Sequence, residues 1–247
     1  MEKRLVKCRE SPGSDGKSNA MQTEFPGTAE AILSNLKIIH QRIQNACLQS
    51  HRNPQDVKLL LATKAVSPEK IKIALTAGEH LIGENKVQEL KEKFASLQSI
   101  PHETHFIGHL QANKIKDVLK YADCIQSIDR LALAEKIQKR LEFENRTIDI
   151  LIQVNTSYEQ SKFGIPPEQA LDLALQIRHL ERINIKGLMT IGLFSPDIEQ
   201  VRRCFRLLKT LQQQMFDHDI SAHELSMGMS GDFETAIAEG STLIRVG

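Results

Sequence analysis

Two hydrophobic rhythms run along the chain. Ile32, Leu36, Ile39 and Ile43 recur at helical spacing, which predicts an amphipathic helix over Ala29–Leu48 that ends before Asn53-Pro54. Thereafter short apolar runs of strand length alternate with longer amphipathic segments, the pattern of repeated βα units around a parallel sheet. Eight runs read as strands: Val57–Thr63, His80–Glu84, Thr104–Gly108, Cys124–Ile128, Ile148–Val154, Ile185–Ile191, His223–Met227 and Thr242–Val246. Ser67-Pro68 places a hydroxyl at an N-cap and a proline in the first turn, and Pro166-Pro167-Glu168 opens a helix over Ala170–Leu180 in the same way. Gly78 and Gly240 mark helix ends, where a left-handed residue costs least. Eight units without a glycine-rich dinucleotide fingerprint favour an α/β fold of the closed (β/α)8 TIM-barrel type over an open doubly wound sheet.

A length of 247 residues, 40% of them hydrophobic, suits one such barrel as a single domain with an extra N-terminal helix. Met1–Ala20 is rich in Ser, Gly and charge and lacks apolar periodicity, so residues 1–28 read either as an appended segment, with Ser18-Asn19-Ala20 as its remnant and Met21 as the natural start, or as a natural disordered leader. Gly16-Lys17-Ser18 within it resembles a phosphate loop only loosely, because the earlier glycine is misplaced and no strand precedes it. Residues 29–247 form the expected barrel. It stops right after the eighth strand, where a closing helix would ordinarily follow, and reads as truncated there.

Charge and composition narrow the partners. Lys and Arg number 32 against 31 Asp and Glu, aromatics make up 4%, and Trp is absent, so neither a basic field nor a stacking platform for nucleic acid is present. No apolar stretch is long enough to span a bilayer. Cys8, Cys47, Cys124 and Cys204 are scattered, which fits a reducing cytoplasm better than a disulfide or zinc framework. His102, His105 and His109 do not follow a helical metal-ligand spacing.

Chemistry in such barrels sits at the carboxyl ends of the strands. In strand order those ends carry Lys64, Glu84-Asn85, His109, Asp129-Arg130, Asn155, Met189-Thr190, Met229-Ser230-Gly231, and Arg245 with Gly247. Strand alternation puts Leu60 and Ala62 on the face of Lys64, so its amine is expected against apolar walls, where lost hydration would favour the nucleophilic form. Alone, a lysine snorkelling to solvent is the simpler reading. Ser226-Met227-Gly228-Met229-Ser230-Gly231-Asp232 offers hydroxyls and backbone amides ahead of a helix over Phe233–Glu239, and Arg245 adds a fixed cation, a combination suited to phosphate.

The chain resembles the YggS/PROSC group of pyridoxal 5′-phosphate (PLP) homeostasis proteins over about Ala29 to Gly247. The resemblance rests on Leu61-Ala62-Thr63-Lys64, Gly83-Glu84-Asn85, and His105-Phe106-Ile107-Gly108-His109 with the following Leu110-Gln111-Ala112-Asn113-Lys114. Ser161-Lys162-Phe163-Gly164, Gly187-Leu188-Met189, Leu225-Ser226-Met227-Gly228-Met229-Ser230 and Gly240-Ser241-Thr242-Leu243-Ile244-Arg245-Val246-Gly247 extend it. It implies a fold-type III barrel like that of alanine racemase, with PLP held as a Schiff base on Lys64 and without an established catalytic reaction. By position it implies phosphate binding by Ser230, Gly231, Arg245 and Gly247, and a cofactor lining of Asn85, Met189 and Ser226; Lys162 matches a lysine near the site. Ala62-Thr63 and Ala65-Val66 depart from the usual Val-Ser and Thr-Lys neighbours of that lysine, and Thr63 keeps a hydroxyl.

The implied role is a monomeric cytoplasmic carrier that buffers PLP or delivers it to PLP-requiring apoenzymes. Two other classes compete. A PLP-dependent amino-acid racemase would need a second domain and an opposing base, and only Tyr121 and Tyr158 are present as tyrosines. A cofactor-free barrel enzyme acting on a phosphorylated metabolite would use the same anion site.

Overall fold

Strand alternation sorts the side chains between a barrel interior and a helix-facing surface. On β1 (Lys58–Ala62), Leu59 and Leu61 pack outward with Ile43, Cys47, Ile237 and Ile244. Leu60 turns inward to meet Leu81 and Leu243. The computed structural model describes residues 26–247, so Met1–Ala20 and the Gly16-Lys17-Ser18 motif lie outside the described residues.

All eight strands pair in parallel and in sequence order, and β1 closes on β8. After β1 come β2 (Leu81–Glu84), β3 (Glu103–Phe106), β4 (Cys124–Ile128), β5 (Ile148–Gln153), β6 (Ile183–Met189), β7 (Glu224–Met229) and β8 (Leu243–Val246). Each predicted strand is found. The helices are α1 (Pro26–Gln49), α2 (Pro68–Thr76), α3 (Val87–Leu97), α4 (Ile115–Tyr121), α5 (Leu131–Glu144), α6 (Ala170–Ile177), α7 (Ile198–Asp217) and α8 (Phe233–Ala238). Helix α1 begins three residues before its expected start, inside the segment read as leader, because a proline is tolerated in a first turn that apolar periodicity does not mark. Gly78 and Gly240 adopt φ values of +106° and +101°, as their helix-ending role requires.

Helix α1 covers the seam between β8 and β1. Ile43, Ala46 and Cys47 bury against Leu59, Ile244 and Val246, and the Arg52 guanidinium donates to the carbonyls of Ile237 and Ser241 at 2.7 Å each. The largest apolar cluster lies between β3–β7 and helices α3–α8, so the barrel's packing does not depend on its mouth. At the amino-end mouth, Lys58 pairs with Glu224 at 2.5 Å and Lys186 with Asp149 at 3.4 Å. Among the described residues no helix is long and apolar enough to cross a membrane, and no group of three or more His, Cys, Asp or Glu is placed to hold a metal.

Candidate functional site

The residues expected to form one cofactor site separate into a rim and a floor. Lys64, Ser230, Gly231 and Gly247 are exposed at the carboxyl-end rim, with Asn85 half-buried beside them. Met189, Ser226 and Arg245 are buried in the barrel interior below, at 1%, 0% and 6% exposure.

Lys64 does not lie against apolar walls as alternation implied. Strand β1 ends at Ala62, Thr63 is buried, and the turn that follows carries Lys64 into solvent, with Ala65 left-handed at φ +60°. The chain end packs close by: a Cβ built on Gly247 would lie 2.6 Å from the Ala62 carbonyl oxygen, so only glycine brings the backbone this near to the end of β1. The Gly247 N–H donates to Ser230 Oγ at 3.3 Å, which joins the loop after β7 to the end of β8.

The phosphate segment needs two corrections. Arg245 is not at the rim with Ser230; its guanidinium points inward and donates to Ser226 Oγ at 2.6 Å and to the Thr190 carbonyl at 2.8 Å. Alternation explains this, since Leu243 is an interior residue and Arg245 follows it by two. Burial pushes its pKa down to about 10, so it remains a cation at neutral pH. The start of α8 is not an open anion site either. Asp232 turns its carboxylate back to accept the Met229 N–H at 2.6 Å, and burial raises the pKa of that carboxyl. Ser230 and Gly231 remain the exposed donors of this corner, with the Gly247 N–H turned onto Ser230 Oγ.

A chain of hydrogen bonds crosses the interior beneath Arg245. Arginine can only donate, so Ser226 accepts from it and gives its own proton to Gln126 Oε1 at 2.6 Å. The Gln126 amide nitrogen then donates to His105 Nδ1 at 2.6 Å, which leaves the ring proton on Nε2, 3.7 Å from Glu103 Oε2. The His105 ring in turn holds the Glu103 carboxyl below its ordinary range. Sequence reading missed Gln126 and Thr190 as supports of Arg245. The available signal was a glutamine at an inward position of the apolar strand Cys124–Ile128.

Other predicted rim residues take different places. Glu84 faces outward toward α3, where it is 1% exposed and bonds Lys93 Nζ at 2.7 Å and Thr63 Oγ1 at 2.6 Å; burial raises its pKa. Asn155 and Lys162 tie loops: Asn155 Nδ2 donates to the Glu159 carbonyl at 2.8 Å, and Lys162 pairs with Glu159 and donates to the Gly192 carbonyl. His109 stacks on Phe163 with ring centroids 3.9 Å apart. Two buried polar atoms near the mouth, Asn85 Oδ1 and His109 Nδ1, lack a hydrogen-bond partner among the described residues, although His109 Nδ1 lies 3.8 Å from Asp129 Oδ2. Native interiors seldom leave such atoms unpaired, so they fit a site whose remaining partners come from a ligand.

The comparisons with known proteins bear on the fold and the family. A family model described as alanine racemase, N-terminal domain, matches residues 30–247. A relative from Aquifex aeolicus named pyridoxal phosphate homeostasis protein is 40% identical over 213 residues, covering 86% of this chain and 93% of its own length. One of the same name from Helicobacter pylori is 43% identical, with 77% and 85% covered. The solved structure of PipY from Synechococcus elongatus with PLP bound is similar at a TM-score of 0.74 and 31% identity, over 85% of this chain and 97% of PipY. Alanine racemase from Clostridium difficile, at 14% identity and a TM-score of 0.73 over 87% of this chain and 56% of the enzyme, shares the fold alone.

Proposed function

Since the chain belongs to the alanine racemase N-terminal domain family and, within it, to the pyridoxal phosphate homeostasis proteins, we propose that it holds PLP through Lys64. Its role is to buffer that cofactor or deliver it to PLP-requiring apoenzymes in the cytoplasm, as a monomer. The observation that carries this reading is an exposed lysine on the turn after β1 at the carboxyl-end rim, the same end of the barrel at which Asn85 and His109 keep buried atoms without hydrogen-bond partners among the described residues and which holds the buried Arg245 cation.

When bound, PLP supplies an aldehyde carbon that an amine can attack and a phosphate dianion that needs donors. The exposed Ser230 hydroxyl and the backbone N–H of Gly231 are the rim donors for the phosphate, and the Gly247 N–H joins them when the phosphate replaces Ser230 Oγ as its acceptor. Asn85 lines the mouth, Met189 lies on the floor below it, and Arg245 supplies a fixed cation from that floor, oriented by Ser226 and the Thr190 carbonyl. The chain acts as a carrier and not as a racemase because neither tyrosine is placed as an opposing base. Tyr158 is 63% exposed in the loop after β5, and Tyr121 packs on Phe94 with ring centroids 5.0 Å apart, between α3 and α4.

The test is borohydride reduction of the PLP-loaded protein followed by peptide mapping. A pyridoxyl mass on the Lys64 peptide, absent in a folded Lys64→Ala variant that keeps weaker noncovalent binding, is the expected result. Stoichiometric label on Lys86, Lys114 or Lys162 with Lys64 unmodified would refute the assignment. Racemisation of amino acids abolished by Lys64→Ala would refute the carrier role.

A further inference from the structure

Lys93, on α3, is 7% exposed, an unusual place for a lysine, and it gives one proton to each of three acceptors. These are the Thr63 carbonyl at 2.8 Å, Glu84 Oε1 at 2.7 Å and Glu89 Oε2 at 2.8 Å. Glu89 Oε2 also accepts the Ala65 N–H at 2.7 Å, and Thr63 Oγ1 donates to Glu84 Oε1. The Thr63 carbonyl belongs to the peptide plane before the Lys64 Cα, and the Ala65 N–H to the plane after it. Fixing both planes fixes φ and ψ of Lys64, and with them the direction of its Cα–Cβ bond.

Stability does not account for this arrangement. Buried ion pairs add little net stability over apolar residues of the same volume, and Glu84 Oε2 is left buried without a partner among the described residues. Ala65 is also held left-handed, a conformation that costs a non-glycine residue roughly 1–2 kcal/mol. What the cluster supplies is geometry at one exposed turn.

We propose that Glu84, Glu89 and Lys93 are positioning residues that clamp the turn and aim the Lys64 amine at the cofactor aldehyde. The inference rests on the reading of Lys64 as the covalent anchor. In the step it serves, the neutral amine nitrogen attacks the aldehyde carbon. A C=N bond replaces C=O, and the oxygen leaves as water with both amine protons. The clamp touches neither reactant directly. It limits the directions from which a flexible four-carbon side chain approaches, and a misplacement on the order of 1 Å slows a positioned reaction by up to about a hundredfold.

The test is Glu89→Leu, which frees the Ala65 N–H yet leaves the deeper Lys93–Glu84 pair intact. In the ligand-free protein, amide hydrogen exchange at Ala65 should quicken at least about tenfold. Borohydride-trapped capture of PLP should slow by about ten- to a hundredfold, while noncovalent PLP affinity, read in a Lys64→Ala background, stays unchanged. Glu89→Gln keeps an acceptor for Ala65 and should restore most of the capture rate. Should Glu89→Leu not fold, Thr63→Val removes one anchor of the same turn at equal volume, and capture should slow by about three- to tenfold for one lost hydrogen bond. Capture at the wild-type rate in a folded variant would overturn the proposal, as would a parallel fall in capture and noncovalent affinity, which marks a purely structural role. Absence of label on wild-type Lys64 would overturn the anchor reading, and is distinguishable because Ala65 exchange still reports the clamp.

Discussion

Replacing Arg245 by methionine separates what this residue does for the fold from what it does for the cofactor. The guanidinium is 6% exposed, and burial pushes its pKa from the ordinary range down to about 10, a penalty on the charged form of about 3 kcal/mol. Its two described hydrogen bonds, to Ser226 Oγ and the Thr190 carbonyl, return a similar amount at about 1.5–3 kcal/mol for each bond from a charged donor, less the cost of freeing their partners. The two effects nearly cancel. Arg245→Met should therefore unfold in urea within about 1 kcal/mol of wild type without cofactor, because relief of the desolvation penalty offsets the lost bonds. PLP is different, because an anionic ligand above the cation gains an interaction that methionine cannot provide. Its dissociation constant, from equilibrium dialysis or absorbance titration, should rise about ten- to a hundredfold. The reasoning fails if the variant loses 3 kcal/mol or more without ligand while PLP affinity is unchanged, for Arg245 would then be a structural cation only.

Three further outcomes follow from the geometry. Long-range ¹H–¹⁵N spectra of the ligand-free protein should show His105 as the Nε2–H tautomer, and Gln126→Leu should release that preference; an Nδ1–H tautomer in wild type would contradict the direction of the chain through Gln126 and Ser226. Gly108→Ala would place a Cβ 2.0 Å from the Asn85 carbonyl oxygen, so it should cost at least about 2 kcal/mol in a denaturation series and weaken PLP binding by displacing Asn85; full stability and affinity would show that the backbone there yields freely. Glu84 is an acid whose folded pKa is raised, so the penalty on its ionised form is absent below the unfolded carboxylate value and grows as pH rises through the folded one. Denaturation across that window should shift in favour of Glu84→Gln with rising pH, and a difference that does not vary with pH would place the raised pKa in doubt.

Much of the barrel was legible because its strands are apolar on both faces and its helices on one. Leu59, Leu60 and Leu61 read as a continuous run because one faces the interior while its neighbours face α1. The same period of two places Arg245 inside once Leu243 is known to be interior, yet motif resemblance grouped it with the exposed Ser230 and Gly231. Lys64 was misplaced for a different reason. Alternation holds only while the chain remains a strand, and β1 ends two residues earlier, with a left-handed alanine that no local propensity announces. The clamp was the least legible feature. Thr63, Glu84, Glu89 and Lys93 are spread over 31 positions of sequence and meet only because β1 and β2 pair and α3 packs back on them.

Exposure of Lys64 bears directly on why a barrel with this site would serve as a carrier. With Lys64 as the anchor, release of PLP would reverse its capture: water would add to the C=N carbon, and the aldehyde would depart as the amine recovered its protons. Water would be the co-reactant of release, so an anchor buried behind a lid would retain the cofactor and an anchor at an open rim would return it. The groups that benefit from a ligand point the same way. Arg245 carries the penalty of a buried charge, and Asn85 Oδ1 and His109 Nδ1 lack hydrogen-bond partners among the described residues, whereas the main apolar cluster lies apart, between β3–β7 and α3–α8. Affinity can then come from relieving a few local costs at the mouth while the fold stands on its packing elsewhere. A barrel built this way would stay folded both before and after giving a cofactor up, which is what the proposed loading and release would require.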